Sequence, residues 1–161
     1  MNGAIIHPIP PVFDKNSRIL ILGSFPSVKS REVGFFYGHP QNRFWKVVSA
    51  LFEEEMPRTV EEKKDLLLRN GVALWDVLHS CEIRGSSDAS IKNASPNDLS
   101  VILCAAEIKA IFTNGATAYK YYVRYALPST GRQAAPLPST SPANAAWSME
   151  KLLDEWKRIL I

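Results

Sequence analysis

Apolar and polar positions along the chain alternate between short continuous runs and helical stripes. Arg18-Ile19-Leu20-Ile21-Leu22-Gly23 is a continuous apolar run closed by glycine. Such continuity predicts a strand covered on both faces, as in a parallel sheet. Val72-Ala73-Leu74-Trp75, opened by Gly71 and closed by Asp76, is a second run of this kind. Ile108 to Thr113, ended by Asn114-Gly115, is a third, and Gln133 to Leu137, closed by Pro138, is a weaker fourth. Between the runs the period lengthens to that of helices. Phe44, Val48, Leu51 and Phe52 share one helical face, on a helix that begins near Asn42. Thr59-Val60-Glu61-Glu62 reads as a capping box ahead of a charged helix that stops at Asn70-Gly71. Ser95-Pro96 predicts a helix start with Leu99, Ile102 and Leu103 on one side. Ser141-Pro142 predicts the start of the last helix, with Met149, Leu152, Leu153, Trp156 and Leu160 on one stripe.

Strands alternating with helices predict an α/β fold: a three-layer α/β/α sandwich around a short parallel sheet of about four strands. Residues 1–161 read as one domain, with 1–16, through Pro8-Ile9-Pro10-Pro11, as an extended lead-in. Ligands on such sheets bind beyond the carboxyl ends of the strands. Gly23 to Ser27, Trp75-Asp76, Asn114-Gly115 and Pro138 to Asn144 are therefore expected to converge.

Composition narrows the partners only a little. A chain of 161 residues, 46% hydrophobic, supports one full-sized core. No apolar run approaches the roughly 18 residues of a membrane span. The N-terminus lacks a basic region followed by a long apolar stretch, so no secretory signal is read there. The expected compartment is the cytoplasm, or the nucleus in a eukaryote, with no membrane partner. Cys81 and Cys104 cannot complete a four-thiolate zinc or iron–sulfur site, and each is expected to be a buried free thiol. No metal or other cofactor is expected. The net charge of +3 permits a polyanionic partner without selecting one.

Candidate chemistry gathers after the first strand. Gly23-Ser24-Phe25-Pro26-Ser27 leads into Gly34-Phe35-Phe36-Tyr37-Gly38-His39-Pro40-Gln41-Asn42-Arg43-Phe44-Trp45. Glycine lets a backbone approach a ligand closely, and proline stiffens the exit. Aromatics in such a loop suit stacking on an unpaired base, worth roughly 1–3 kcal/mol each. They also suit a hydrophobic cluster private to the loop. By spacing alone, Asn42 caps its helix and Ser139-Thr140-Ser141 form either a turn or a set of phosphate contacts.

These residues resemble a known family. Gly23 to Trp45 is similar to the first motif region of the uracil-DNA glycosylase superfamily: glycine, two variable residues and proline, then a loop and an Asn-x-Phe-Trp helix start. Leu137-Pro138-Ser139-Thr140-Ser141-Pro142-Ala143-Asn144 resembles the second motif, a proline–serine loop that pinches the DNA backbone. The Gly-Ser-Phe-Pro, Tyr-Gly-His-Pro and Asn-Arg-Phe-Trp elements most resemble the hypoxanthine-DNA (deoxyinosine) glycosylase branch. The resemblance runs from Arg18 to Trp147.

It implies a glycosylase-like fold, a monomer without cofactor, and DNA containing a deaminated base as partner. The implied reaction is hydrolysis of the N-glycosidic bond in base excision repair. Asn42 takes the place of the catalytic amide, with His39 as a candidate donor to the departing base. Gly23, Ser24, Phe25 and Pro26 are placed around the base, with Phe36, Tyr37, Asp76 and Asn114. Ser27, Arg43, Ser139, Thr140, Ser141 and Asn144 are placed on the DNA backbone, with Lys29, Arg31 and Arg132 as further basic neighbours. Two departures stand out. Phe25 occupies the position where uracil-specific members carry a water-positioning aspartate or asparagine, and Leu137 replaces a frequent histidine. Both favour hypoxanthine over uracil. No lysine in either motif offers a Schiff-base nucleophile, so water is expected to attack. A mismatch-specific uracil or thymine glycosylase, and a module that binds damaged nucleic acid without cutting it, are the alternatives.

Overall fold

The computed structural model describes residues 3–161; Met1 and Asn2, at the tip of the expected lead-in, lie outside the described residues. In chain order, β1 (Ile5–Ile6) and β2 (Ile19–Gly23) precede α1 (Val28–Val33), α2 (Phe44–Leu51) and α3 (Val60–Arg69). Then come β3 (Val72–Asp76), β4 (Leu78–Glu82), β5 (Lys92–Pro96), α4 (Ser100–Leu103) and β6 (Ala110–Asn114). A π-helical turn, Tyr122–Ala126, joins α5 (Ala116–Tyr121) to α6 (Leu127–Thr130), and β7 (Ala135–Leu137) and α7 (Met149–Trp156) close the chain.

The central sheet is parallel, in the order β3-β2-β6-β7. Its middle strand is apolar throughout because both faces are covered. Ile19 and Ile21 point to a core shared with Phe44, Val48, Leu67 and Trp156 of the helices α2, α3 and α7. Leu20 and Leu22 point the other way, to Leu78, Ile102 and Tyr122. Each fully buried Leu or Ile contributes about 1.5–3 kcal/mol by leaving water. The capping box before α3 forms as the sequence predicts, with the Thr59 hydroxyl accepting from the Glu62 N–H at 3.1 Å and the Glu62 carboxylate accepting from the Thr59 N–H. Its stop follows too: Gly71 takes φ +69°, a left-handed turn that suits glycine.

Several expectations are corrected. The extended lead-in also supplies pairings that the sequence did not disclose: β1 pairs with β4, and Val12 bridges to Leu74. A second, antiparallel sheet, β1-β4-β5, packs beneath the central one. Ser95-Pro96 ends its edge strand β5 instead of starting a helix; an edge tolerates proline's missing N–H, and the Ser95 hydroxyl meets that of Ser80 at 2.6 Å. The helix begins later, where the Asp98 carboxylate accepts both the Ser100 N–H and its hydroxyl. Ser141-Pro142 opens only the single 3-10 turn Pro142–Asn144. The Asn144 and Trp147 carbonyls, which a continuous helix would use internally, turn to the Arg43 guanidinium instead. The last helix restarts at Ser148, whose hydroxyl accepts from the Lys151 N–H, and Leu160 falls beyond it in solvent. Cys81 is buried as expected, but Cys104 is exposed.

Candidate active site

The chain runs from β2 to β3 on one side, and later to β6 on the other. The carboxyl end of β2 is therefore the switch point where open α/β sheets leave a crevice. Gly23 lies level with Asp76 at the end of β3, and Asn114 ends β6. These strand ends, with the loops carrying Ser24 to Ser27, Phe36 to Asn42 and Ser139 to Pro142, line a cavity of about 180 Å³. Clefts for drug-sized ligands run to roughly 300–1,000 Å³, so this one suits a single flat ring system. Among the strand-end residues expected to converge, Trp75 points away, its indole N–H donating to the Ile9 carbonyl.

Asn42 sits at the cavity wall in a fixed orientation. The N-cap of α2 is Arg43, one residue beyond the expected Asn42, whose Oδ1 accepts the N–H of Phe44, the first helical residue, at 2.9 Å and the Thr140 hydroxyl at 2.8 Å. The direction of each bond follows from two backbone donors. The Thr140 N–H donates to Asn114 Oδ1 at 3.0 Å, so Asn114 presents its Nδ2 to the Thr140 hydroxyl at 2.9 Å. That hydroxyl must then donate onward to Asn42. Both lone pairs of the Asn42 carbonyl are thereby occupied. Its Nδ2 has no partner among the described residues and borders the cavity. The group that Asn42 leaves free is therefore a hydrogen-bond donor.

The floor holds a buried carboxylate. Asp76, 3% exposed, accepts the Nε2–H of His7 at 2.8 Å. His7 Nδ1 in turn accepts the Ile9 N–H at 3.2 Å, which places the ring proton on Nε2. Tyr37 lies beside this pair with φ +51°, a left-handed backbone that costs a bulky residue about 1–3 kcal/mol and recurs at functional sites. Its ring stacks on Phe44 at 4.2 Å. Burial, reinforced by the Asp76 charge, pushes the Tyr37 hydroxyl far above the usual phenol range. At the rim, the Asp88 carboxyl accepts from the Ser24 hydroxyl at 3.0 Å. Burial of that carboxyl raises its pKa, the Ser24 bond opposes the rise, and Asp76 adds to it.

Other expected contacts are engaged within the protein. Phe36 lies 2% exposed in the core beneath the cavity, and Phe35 stacks on Trp45, so the loop aromatics are largely packing. Phe25 is nearly buried, edge-on to His7. The Ser27 hydroxyl caps α1. Arg43 does not project freely toward a phosphate: its guanidinium clamps the Asn144 and Trp147 carbonyls. Arg31 is similarly tied to the Gly85 carbonyl. Thr140 is wholly buried in the amide relay, which takes it off the expected backbone surface. The Ser139 and Ser141 hydroxyls accept from the backbone of their own loop, at Ser141 and Ala143, and the Asn144 amide donates to the Ser139 carbonyl. His39 stands exposed at the mouth, its Nδ1 accepting from the Gln41 N–H at 3.1 Å and its other ring nitrogen open. Reasoning from sequence missed His7, Ser86 and Asp88. The His-Pro pair in the lead-in and the serine-rich bend around Asp88 carry no periodic signal.

The fold and the cavity define a small α/β enzyme domain with a ring-sized site at the carboxyl edge of its sheet. The model of the uracil DNA glycosylase superfamily matches residues 10–160, and the chain belongs to that superfamily. It is 35% identical over 152 residues to a protein named hypoxanthine DNA glycosylase from Methanosarcina acetivorans, covering 93% of this chain and 94% of that one. A protein of the same name from Methanosarcina barkeri is 34% identical over 137 residues, 84% and 85% of the two chains. A solution NMR structure from M. acetivorans, provisionally named a uracil DNA glycosylase, matches 98% of this chain and 100% of its own. Its TM-score is 0.79 and its identity 31%.

Proposed function

We propose that the protein, acting as a single-domain monomer, hydrolyses the N-glycosidic bond of deaminated bases in DNA, with hypoxanthine in deoxyinosine as its main substrate. The observation that carries this is the Asn42 amide, held by a buried relay so that its Nδ2 faces a ring-sized cavity over a buried carboxylate. The names of the two Methanosarcina relatives support the substrate.

The target nucleotide leaves the stack, because its bond cannot be reached within the duplex. The C1′–N bond breaks toward an oxocarbenium-like sugar. The departing base carries away the bonding electrons, and the oxygen of a water molecule bonds to C1′. The proton that water loses balances the charge on the base, leaving free base and an abasic site. An amide whose oxygen is already occupied cannot take that proton, so Asn42 holds the water, or the developing charge, by donation alone. The rate then comes from electrostatic stabilisation of the departing base by donors, among them the open ring nitrogen of His39 at the mouth and backbone amides of the first loop. Phe25 brings no polar group to the first loop, which favours this loose path over activation of water by a base. Ser139 and Ser141 form the rim that meets the strand backbone.

Base release from oligonucleotides containing deoxyinosine, deoxyuridine or a G·T mismatch tests the assignment. Hypoxanthine is the expected product. Strong uracil release with none from deoxyinosine would refute the substrate, and a retained duplex that never gains an abasic site would refute the chemistry. Asn42→Ala is expected to abolish excision while DNA affinity survives.

A further inference from the structure

We infer that Asp88, on the loop between β4 and β5, is a further catalytic residue, whose carboxylate faces the sugar and takes the proton of the attacking water. The inference rests on the glycosylase reading above.

Its place follows from two adjoining hollows. The base cavity shares Asp88, Asn114, Ser139 and Ser141 with a second, larger hollow of about 570 Å³ that runs along the loop after β7. With a base in the first and its backbone on the rim at Ser139 and Ser141, the sugar that joins them crosses the shared border. C1′ is the sugar atom bonded to the base, so it lies at that border too. Of the four border residues, Asp88 alone carries a charge. Asn42 lines the base cavity and not the second hollow.

The loop is docked by hydrogen bonds of its own. Asp88 Oδ1 accepts the Ser24 hydroxyl at 3.0 Å, the Ser86 hydroxyl accepts the Val28 N–H at 2.9 Å, and the Gly85 carbonyl accepts from the Arg31 guanidinium at 2.7 Å. Within the loop, the Ser90 hydroxyl accepts the Arg84 N–H at 2.8 Å and donates to the Ser87 carbonyl at 2.7 Å. Asp88 is exposed at its turn, yet its carboxyl reaches into the cavity wall. Its Oδ2 has no hydrogen-bond partner among the described residues, so one oxygen is held and one is free. Gly23 to Ser27 contains no acid. The first loop instead holds, through Ser24, a carboxylate from 64 residues further on.

A carboxylate at the mouth of a DNA site opposes binding, because it repels phosphates. It suits a positive charge that arises only during the reaction. As the C1′–N bond breaks, that charge develops on the sugar, and a fixed carboxylate stabilises it in the transition state more than in the bound substrate. Once the water oxygen has bonded to C1′ it carries a proton that it must lose, and that proton passes to Asp88 Oδ2. The carboxylic acid then gives it up to the departed base anion or to solvent, which restores the site. Burial holds the Asp88 carboxyl above the usual carboxylate range, against the Ser24 bond and with help from the Asp76 charge, and so makes it a readier proton acceptor.

Asp88→Asn removes the charge and keeps an oxygen to accept from Ser24, so the loop should stay docked. Single-turnover excision of hypoxanthine should fall at least about 100-fold. Affinity for a duplex carrying 2′-fluoro-deoxyinosine, which resists formation of the sugar cation, should stay equal or tighten, because a like charge has left the mouth. A residue that only shaped the loop would lose rate and affinity together. Asp88→Glu should recover part of the rate. Excision by Asp88→Asn at the wild-type rate, or parallel losses of rate and affinity, would overturn the inference, and the glycosylase reading stands as long as the wild type excises hypoxanthine. If the wild type releases no deaminated base at all, both fall together. Should Asp88→Asn fail to fold, Asp88→Ser is read by the same two measurements.

Discussion

Replacing Thr140 by valine removes one oxygen and keeps the shape. The oxygen donates to Asn42 Oδ1 at 2.8 Å and accepts from Asn114 Nδ2 at 2.9 Å, in a side chain with no solvent exposure. Thr140→Val leaves Asn42 with one donor in place of two, and leaves an Asn114 N–H unpaired. Two such losses cost about 1–3 kcal/mol of stability, since an orphaned buried group costs more than a hydrogen bond contributes. At roughly 2–4 °C per kcal/mol for a domain of this size, the melting temperature should drop measurably. The Phe44 N–H still opposes a flipped amide, so Asn42 should be loosened, not inverted. If loosening forfeits about 1.4–2.7 kcal/mol of transition-state stabilisation, the excision rate falls about 10- to 100-fold. Single-turnover excision with enzyme in excess reads that step directly, and urea melts read the stability. Thr140→Ser restores the hydroxyl and should restore most of the rate. A valine variant that loses stability but excises at the wild-type rate would show that the relay holds the fold and not the chemistry.

Three further outcomes follow from the same geometry. Asn42→Asp keeps both accepted hydrogen bonds but exchanges the cavity-facing donor for an acceptor; excision should drop at least about 100-fold, whereas retained activity would mean that this position serves as a base. Arg43→Gln should destabilise the protein by about 1–3 kcal/mol by releasing two loop carbonyls. It should leave the salt dependence of DNA binding unaltered, and a slope reduced by about 0.9 would reassign Arg43 to a phosphate. Burial raises the Cys81 thiol from 9.0 to about 11, so at pH 8 it remains the unreactive thiol form. Alkylation followed by mass spectrometry should then mark Cys104 and spare Cys81, and equal labelling would contradict the burial argument.

What the sequence could disclose depended on whether a residue's role was local. The central strands were legible because burial on both faces demands unbroken apolar runs, as in Ile19 to Leu22. α3 was legible because its cap and its stop are made by neighbours in sequence. Ser95-Pro96 and Ser141-Pro142 misled for the converse reason. Each is a sound local helix start, overridden by a distant partner: the strand β4 in the first case, and the Arg43 guanidinium in the second. The same division runs through the site. Asn42 stood out by its motif and its expected capping position, but the fact that limits its chemistry is a hydroxyl 98 residues away. His7 bears no motif, and its partner Asp76 lies 69 residues on.

Arg43 and Thr140 show what this separation accomplishes. Arg43 takes its N–H to the Thr140 carbonyl at 3.0 Å and its guanidinium to Asn144 and Trp147, so the start of α2 and the proline–serine loop are locked as one body. Thr140, on that loop, orients the amide at the start of α2. A DNA strand seated on the proposed rim at Ser139 and Ser141 would therefore bear on the same unit that holds Asn42. Binding energy from the strand's backbone can be converted into placement of the amide over the bond to be broken. Remote binding used in this way raises kcat as well as affinity. A rim serine that contributed only affinity would leave kcat untouched when replaced. Ser139→Ala, whose hydroxyl braces the Ser141 N–H beside Thr140, should therefore lower both.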